Sequence, residues 1–206
     1  MLSGCMIVQD EEGCLARALD GLHPFVDEIV IVDGGSVDGT VRIAESYEKV
    51  KIFQIPFMRD FALQKNNALE RASGDWVFLL DADEYIEPYV GESLVRLTTG
   101  DYDAYAFNRQ TFIDSWFVNP IDLDWQIRLF RSYVRYGYGE TYPDLHEVPQ
   151  KFTSLQYCNL SIKHYKTNAM QQKDNELYWD MGQPVSPGWT KIEGKWTYIG
   201  TSTNAT

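Results

Sequence analysis

Residues 28–47, EIVIVDGGSVDGTVRIAESY, predict a buried strand, a glycine-rich turn and a helix whose N-cap is Thr40. The strand ends on Asp33, and Gly35 follows in the turn. Glycine lets a backbone approach a ligand closely, and a carboxylate here can accept from a ribose hydroxyl or a base N–H. An ordinary strand–helix turn has the same local pattern, so the segment alone leaves both interpretations open.

Strands and helices alternate through the first hundred residues. Further strands are predicted by SGCMIV, VKIFQI and DWVFLL, and further helices over residues 11–22 and, capped by Asp60, over residues 60–72. Alternation with apolar strands predicts an α/β fold with a mostly parallel sheet flanked by helices. Ligands of such sheets bind at the carboxyl ends of the strands.

After Gly100 the sequence becomes aromatic and alternating, which predicts a mixed β part. Its predicted elements are the strands DYDAYAFNRQTFI, WQIRLFRS, YVRYGYG and LSIKHY, a loop over residues 136–149 and a helix over residues 168–179. We predict a single domain made of a ligand-binding half (1–100) and a substrate-shaping half (101–200). Residues 201–206 form a polar tail or the cut edge of a longer protein.

Composition excludes some classes of protein. The net charge of −12, from 18 basic and 30 acidic residues, argues against binding nucleic acid or an anionic membrane. Three cysteines without CxxC spacing favour a reducing compartment, and we expect the cytoplasm. No apolar run approaches the length of a transmembrane helix. An anionic ligand would therefore need a local neutralising device, such as a metal ion or helix N-termini.

The strand WVFLL ends in Asp81-Ala82-Asp83-Glu84, which places three carboxylates in four positions. Like charges this close repel and raise one another's pKa, so something positive should hold them. A divalent cation, Mn²⁺ or Mg²⁺, that bridges the carboxylates to a diphosphate would do so. The alternative is a solvated turn in which Glu84 caps a helix.

Two other stretches carry candidate functional side chains. His146 directly precedes Glu147 in the predicted loop, and the pair could supply a metal ligand and a general base, or be structural. In DWQIRLFR, Trp125 could stack on a sugar face and Arg128 could hold a phosphate, although an amphipathic strand explains both equally well. His164 lies at the end of LSIKH.

The segments IVQDEEGCLARAL, DEIVIVDGGSVDGT, DFALQKNNALERASGDWVFLLDADEYIEP, QIRLFR, LHE and KHY occur in this order. Together they resemble family 2 glycosyltransferases of the GT-A fold, especially the branch of lipopolysaccharide-core glucosyltransferases. The small size also suits a viral member, such as a chlorella-virus enzyme acting in the host cytoplasm. Two departures stand out, because family members usually have Lys-Asn at Gln9-Asp10 and the distal QxxRW motif is absent.

The resemblance implies an inverting enzyme that uses Mn²⁺ or Mg²⁺ and moves a sugar from a nucleotide-diphosphate donor to a glycan or other hydroxyl acceptor. By the habit of the family, the nucleotide of the donor is expected to be UDP. The donor-binding candidates are Val8, Gln9, Asp10, Glu11, Asp33, Gly35, Gln64, Lys65, Asp81, Ala82 and Asp83. The catalytic candidates are Glu147 and, in reserve, Asp124; the metal candidates are Asp81, Asp83 and His164; and the substrate candidates are Trp125, Arg128 and His146.

Two other functions are compatible with parts of the sequence. FLLDADEY superficially fits haloacid-dehalogenase-type phosphatases, in which the first Asp of a DxD pair is a nucleophile. That pattern calls for Thr or Val two residues after the second Asp, where this chain has Tyr85, and it normally opens the fold. The second alternative is a non-catalytic sugar-binding module in which the acidic groups hold a structural ion.

Overall fold

The computed structural model describes residues 1–118, 124–138, 147–182 and 189–198. The first half contains β1 (Leu2–Val8), α1 (Leu15–Leu22), β2 (Glu28–Asp33), α2 (Thr40–Glu45), β3 (Val50–Gln54), α3 (Phe61–Leu69), β4 (Trp76–Leu79), β5 (Glu84–Tyr85) and α4 (Pro88–Leu97). The second half contains β6 (Ala104–Ile113), β7 (Trp116–Phe117), β8 (Asp124–Arg131), β9 (Arg135–Tyr138), β10 (Glu147–Gln150), β11 (Leu155–Lys166), α5 (Asn168–Asp180), β12 (Trp189–Ile192) and β13 (Lys195–Tyr198).

One sheet runs through both halves of the chain. Within the described residues its order is β3-β2-β1-β4-β8-β6-β11-β5, with β7 paired to β6. The strands β3, β2, β1 and β4 are parallel, β8 is antiparallel to both β4 and β6, and β11 runs parallel to β6. This confirms the α/β fold, with a parallel first half and a mixed second half.

The parallel strands are apolar because both faces of the sheet are covered. Ile29 and Ile31 of β2 belong to one core together with α1, whereas Val30 and Val32 belong to a second core together with α3. Side chains of a strand alternate between faces, so a strand buried on both sides must be apolar throughout. The helices therefore fix the sheet, and the strand ends are left to carry polar groups.

The turn between β4 and β5 requires the sheet to curl. Four residues, 80–83, separate these strands in the chain, although β8, β6 and β11 lie between them in the sheet. A flat sheet would place the two strands about 19 Å apart, at roughly 4.8 Å per spacing. Five residue steps span at most about 18 Å. The sheet therefore curls, and residues 80–83 cross the ends of the intervening strands.

Several predicted boundaries needed correction. Helix α1 begins at Leu15 rather than at residue 11, because a turn closed by the bond from the Cys14 N–H to the Glu11 carbonyl precedes it. The N-cap of α2 is Gly39 rather than Thr40, whose own N–H donates to Asp38 over 2.9 Å. The Asp60 cap is confirmed, since its side chain accepts from the backbone N–H of Leu63.

Other elements differ in kind from the sequence prediction. Glu84 does not cap a helix, because it is fully buried in the strand β5. The helix α4, which the sequence analysis did not predict, starts with Pro88, a residue suited to a first helical turn. Glu147 lies on the strand β10, paired with β9, and not in a loop. The candidate His146 and the tail at 201–206 lie outside the described residues. Among the helices described, none has the length and apolar character needed to cross a membrane.

Gly91 allows α4 to pack closely against the turn after α1. A Cβ at this position would lie 2.1 Å from Cδ2 of Phe25. We predict that Gly91→Ala destabilises the protein, because overpacking costs about 1–3 kcal/mol and a helical alanine gains only about 0.5–1 kcal/mol over glycine. Chemical denaturation measures the free energy of unfolding. Gly13→Ala is the matched control, since a Cβ there meets nothing within 4 Å, and equal stability of the two variants would contradict the prediction.

Candidate active site

A cavity of about 750 Å³ lies where β1, β4 and β11 end. The sequence candidates that line it are Val8, Gln9, Asp10, Glu11, Gln64, Lys65, Asp81, Ala82, Asp83, Trp125, Arg128, Glu147 and His164. These residues come from positions as far apart in the chain as 8 and 164. The fold therefore brings most of the predicted site residues to one concave surface at the predicted edge of the sheet.

Three candidates do not line this cavity. Asp33 is fully buried, and its carboxylate accepts from the backbone N–H groups of Gly35 and Ser36 at 3.2 and 3.1 Å. Asp33 therefore shapes the turn, and its neighbour Gly34 lines the cavity. Gly35 itself has a φ of 110°, which the turn requires. Asp124 accepts from Arg109 Nε at 2.8 Å, and Arg109, not Asp124, contributes to the wall.

Arg128 relieves the repulsion among the clustered carboxylates. Its Nη2 donates to Asp81 Oδ2 at 2.6 Å and to Glu84 Oε1 at 2.5 Å, and its side chain is 3% exposed. Burial opposes the charge of Asp81, but Arg128 and Lys65 hold the pKa of its carboxyl below its usual range. Burial raises the pKa of Glu84, against the opposing effect of Arg128. One buried guanidinium therefore holds two of the three carboxylates.

The third carboxylate, Asp83, faces the carboxyl end of β11. His164 Nε2 lies 3.0 Å from Asp83 Oδ2, and Lys166 Nζ lies 3.7 Å from the same atom. Burial opposes ionisation here too, but His164 and Lys166 hold the pKa of Asp83 below its usual range. The other ring nitrogen of His164 lies 3.0 Å from Thr111 Oγ1, which fixes the orientation of the ring.

The protein atoms at this wall that could ligate a metal suit a divalent cation whose other ligands come from a substrate. In the described part of the chain, no group of three or more His, Cys, Asp or Glu side chains is arranged to hold a metal ion. Asp83 and His164 nevertheless place a carboxylate oxygen and an imidazole nitrogen side by side. Thr111 supports the second nitrogen of His164, as partners of metal-binding histidines commonly do. Two protein donors suit ions that keep positions open for phosphate oxygens.

Glu147 and Lys65 join the two halves across the cavity. Lys65 Nζ donates to Glu147 Oε1 at 2.5 Å and lies 4.9 Å from the centroid of the Tyr136 ring. Burial disfavours the ammonium form, but Asp81, Tyr136 and Glu147 raise the pKa of Lys65. The carboxylate predicted as a general base is thus held at the cavity wall by a buried cation.

Sequence reasoning missed several residues of the cavity wall, among them Phe57, Phe61, Arg109, Tyr136, Lys166, Lys173, Asp174 and Tyr178. The sequence could have predicted Lys166 as a site residue, because side chains two residues apart on a strand share a face and His164 was already a candidate. Lys166 also forms an ion pair with Asp174 of α5. Among the described residues, five Lys and Arg and six Asp and Glu side chains line the cavity, so an anionic ligand would still need a divalent cation there.

Comparison with known proteins identifies the family. The family model for "Glycosyl transferase family 2" matches residues 3–156. The chain is 40% identical over 100 residues to the lipopolysaccharide core biosynthesis glycosyltransferase LpsC of Rhizobium meliloti, covering 47% of this chain and 36% of LpsC. It is 41% identical over 83 residues to a TPR repeat-containing protein of Synechococcus elongatus, covering 40% of this chain and 20% of that protein. The chain thus spans well under half the length of these curated relatives.

Solved structures show the same fold. The S. aureus protein TarS, residues 1–349, superposes with a TM-score of 0.59 at 16% identity, covering 87% of this chain and 64% of TarS. Its complex with UDP superposes with the same TM-score at 15% identity, covering the same shares of both chains. This likeness supports the expected GT-A fold. Because the family model covers well over half of the chain, we conclude that the protein belongs to glycosyltransferase family 2.

Proposed function

We propose that the chain transfers a sugar from a nucleotide-diphosphate donor, a UDP-sugar, to a hydroxyl group of a glycan acceptor, with inversion at the anomeric carbon. The observation that carries this proposal is the meeting of Asp83, His164, Lys166 and Glu147 in one cavity of about 750 Å³. That volume lies within the range of small-molecule sites. TarS, which shares the fold, has been solved with UDP and with UDP-GlcNAc, which supports testing uridine donors first.

The donor would extend across the ends of the parallel strands. We place the nucleoside beside Gln9, Asp10 and Gln64, which line the end of the cavity formed by β1 and α3. The diphosphate would lie beside Asp83, His164 and Lys166. Mn²⁺ or Mg²⁺, held there by Asp83 and His164 with Asp81 nearby, would neutralise charge on the leaving nucleoside diphosphate. Lys166 adds a positive charge from the protein itself at the same wall.

The acceptor would approach from the second half of the chain. Its hydroxyl must lose a proton as it attacks the anomeric carbon, and a carboxylate within hydrogen-bond reach is the usual general base. Glu147 is our candidate, because Lys65 holds its carboxylate at the cavity wall. Trp125 and Arg128 line the cavity on the side of β8, where Trp125 is suited to contact a sugar.

The alternative functions are not favoured. In a phosphatase of the haloacid-dehalogenase type, Asp81 would be the nucleophile. Its carboxylate is instead held by Arg128 at 2.6 Å, and the matched family is one of glycosyl transferases. The same family match argues against a sugar-binding module without catalysis.

Asp83 provides the test of metal-dependent donor binding. We predict that Mn²⁺ raises the thermal stabilisation produced by UDP, and that Asp83→Asn weakens this metal-dependent binding by at least about tenfold, since loss of a metal ligand or its support typically costs 10–100-fold. A thermal-shift panel of nucleotide sugars, with and without Mn²⁺, measures this effect.

Asp75→Asn is the matched control, because Asp75 precedes β4, is exposed and pairs with the N-terminal amine far from the cavity. It should bind UDP and Mn²⁺ like the unmodified protein. If EDTA changes neither UDP affinity nor turnover, the metal-dependent part of the proposal is wrong.

Glu147 provides the test of proton transfer. We predict that Glu147→Gln binds the donor normally but transfers sugar at least about a hundredfold more slowly, since loss of a general base typically costs 10²–10⁴ in rate. Calorimetry measures donor affinity, and UDP release in the presence of an acceptor measures transfer, on the same preparation.

Asp124→Asn serves as the comparison, because Asp124 pairs with Arg109 outside the cavity wall and its loss should leave transfer close to normal. A reversed result, with near-normal transfer by Glu147→Gln and a large loss in Asp124→Asn, would move the general base to Asp124. Lost donor binding by Glu147→Gln would instead place Glu147 at the phosphates.

A further inference from the structure

We propose that a second, smaller cavity at the end of β6 is an acceptor subsite that binds one neutral sugar ring. The cavity has a volume of about 240 Å³ and is lined by Ile113, Asp114, Trp116, Val118, Asn168 and Trp189. This inference rests on the proposed function, because it assigns the ring to the glycan acceptor of the same enzyme.

The two cavities lie along one face of the sheet. Register pairs Thr111 of β6 with His164 of β11, and Ile113 with Lys166. Side chains two residues apart on a strand share a face, so the face that holds His164 in the larger cavity continues to Ile113 in the smaller one. Two residues along a strand correspond to roughly 7 Å. Neighbouring rings of one glycan could therefore reach both cavities.

A backbone hydrogen bond lies at the boundary between the cavities. The Asp114 N–H donates to the Lys166 carbonyl at 3.0 Å. The side chain of Lys166 lines the larger cavity, whereas Asp114 lines the smaller one. A ligand in the smaller cavity therefore lies next to the site of the chemistry without occupying the place proposed for the donor.

A strained turn presents Trp116 to this cavity. Ile113 pairs with Trp116 across the two residues Asp114 and Ser115, whose φ angles are 47° and 71°. Turns with positive φ at both positions normally contain Asn-Gly, Asp-Gly or Gly-Gly, so Ser115, in the place of the second glycine, carries strain that the surrounding structure must support. The Asp114 carboxylate provides that support, since it accepts from the backbone N–H of Asn168 at 3.2 Å and from its side-chain amide.

Trp116 is 78% exposed, although large aromatic side chains are normally covered. Its neighbour Phe117 points to the other face of the strand and packs on Phe112, with ring centroids 5.3 Å apart. The indole of Trp116 therefore remains available to a ligand. It shares the smaller cavity with Asp114 and Asn168, which are polar.

The chemistry of this lining selects a neutral sugar. A pyranose has an apolar C–H face that stacks on an indole ring, and hydroxyl groups that donate to a carboxylate. Each oxygen of Asp114 has more than one lone pair, so its bonds to Asn168 leave acceptor capacity. The carboxylate would repel an anionic ligand, and the volume is below the range of about 300–1,000 Å³ typical of sites for larger ligands.

Saturation-transfer NMR with the methyl glycosides of glucose, galactose, mannose and rhamnose tests the subsite. We expect saturable binding of at least one glycoside, and we expect it to persist when UDP is saturating. Trp116→Ala should weaken that binding by roughly five- to tenfold, the size of effect typical of one aromatic contact. Trp116→Tyr should retain most of it.

Tyr89→Ala is the control, because Tyr89 is also an exposed aromatic side chain, at 52%, and lines neither cavity. It should bind glycosides normally, and every variant should bind UDP normally. Binding of glycosides without binding of UDP would support the subsite while contradicting the proposed donor. The subsite is overturned if none of the four glycosides binds saturably, if UDP displaces them, or if Trp116→Ala binds as well as the unmodified protein.

Discussion

The geometry of the larger cavity depends on the buried guanidinium of Arg128. It donates to Asp81 after β4 and to Glu84 in β5, and thereby ties both ends of the turn that carries Asp83 to the strand β8. Removing one partner of a buried charge pair leaves the other uncompensated, which usually costs more than the pair contributes. Arg128 therefore stabilises the turn in the position in which Asp83 faces β11. The contacts of Asp83 with His164 and Lys166 follow from that position.

The same arrangement sets what an anion meets in this acidic protein. Lys65, Arg128 and Lys166 lie together at the cavity wall, but carboxylates line the same wall and pair with them. These cations therefore balance their neighbours, and the divalent cation proposed above would supply the positive charge that an anionic ligand needs. Their pairing with Asp81, Asp83 and Glu147 also keeps them in place before any ligand arrives.

The sequence was sufficient to predict the parallel half of the fold, because apolar strands alternating with capped helices have few other solutions. It also placed Asp83, His164 and Glu147 among the candidates. It could not show that Arg128 holds Asp81 and Glu84, because that contact joins residues 47 and 44 positions apart through the curl of the sheet. The role of Asp33 in shaping its turn was hidden for a related reason, since a carboxylate before glycines suits both a ligand and the loop itself. The exposed indole of Trp116 has no local signal at all, because burial is a property of the assembled structure.

The long reach of the contacts around the larger cavity has a consequence for the order in which the protein folds. Lys65 meets Glu147 and Asp83 meets His164 across 82 and 81 positions of the chain. Contacts between distant residues form late, because the entropy of closing a long loop is lost before the contact contributes. During synthesis the parallel half leaves the ribosome with Asp81, Asp83 and Glu84 still lacking their counter-ions from β8 and β11. The acidic turn of a nascent chain therefore depends on the second half, and a truncation before β8 would leave this turn without the cations that hold it.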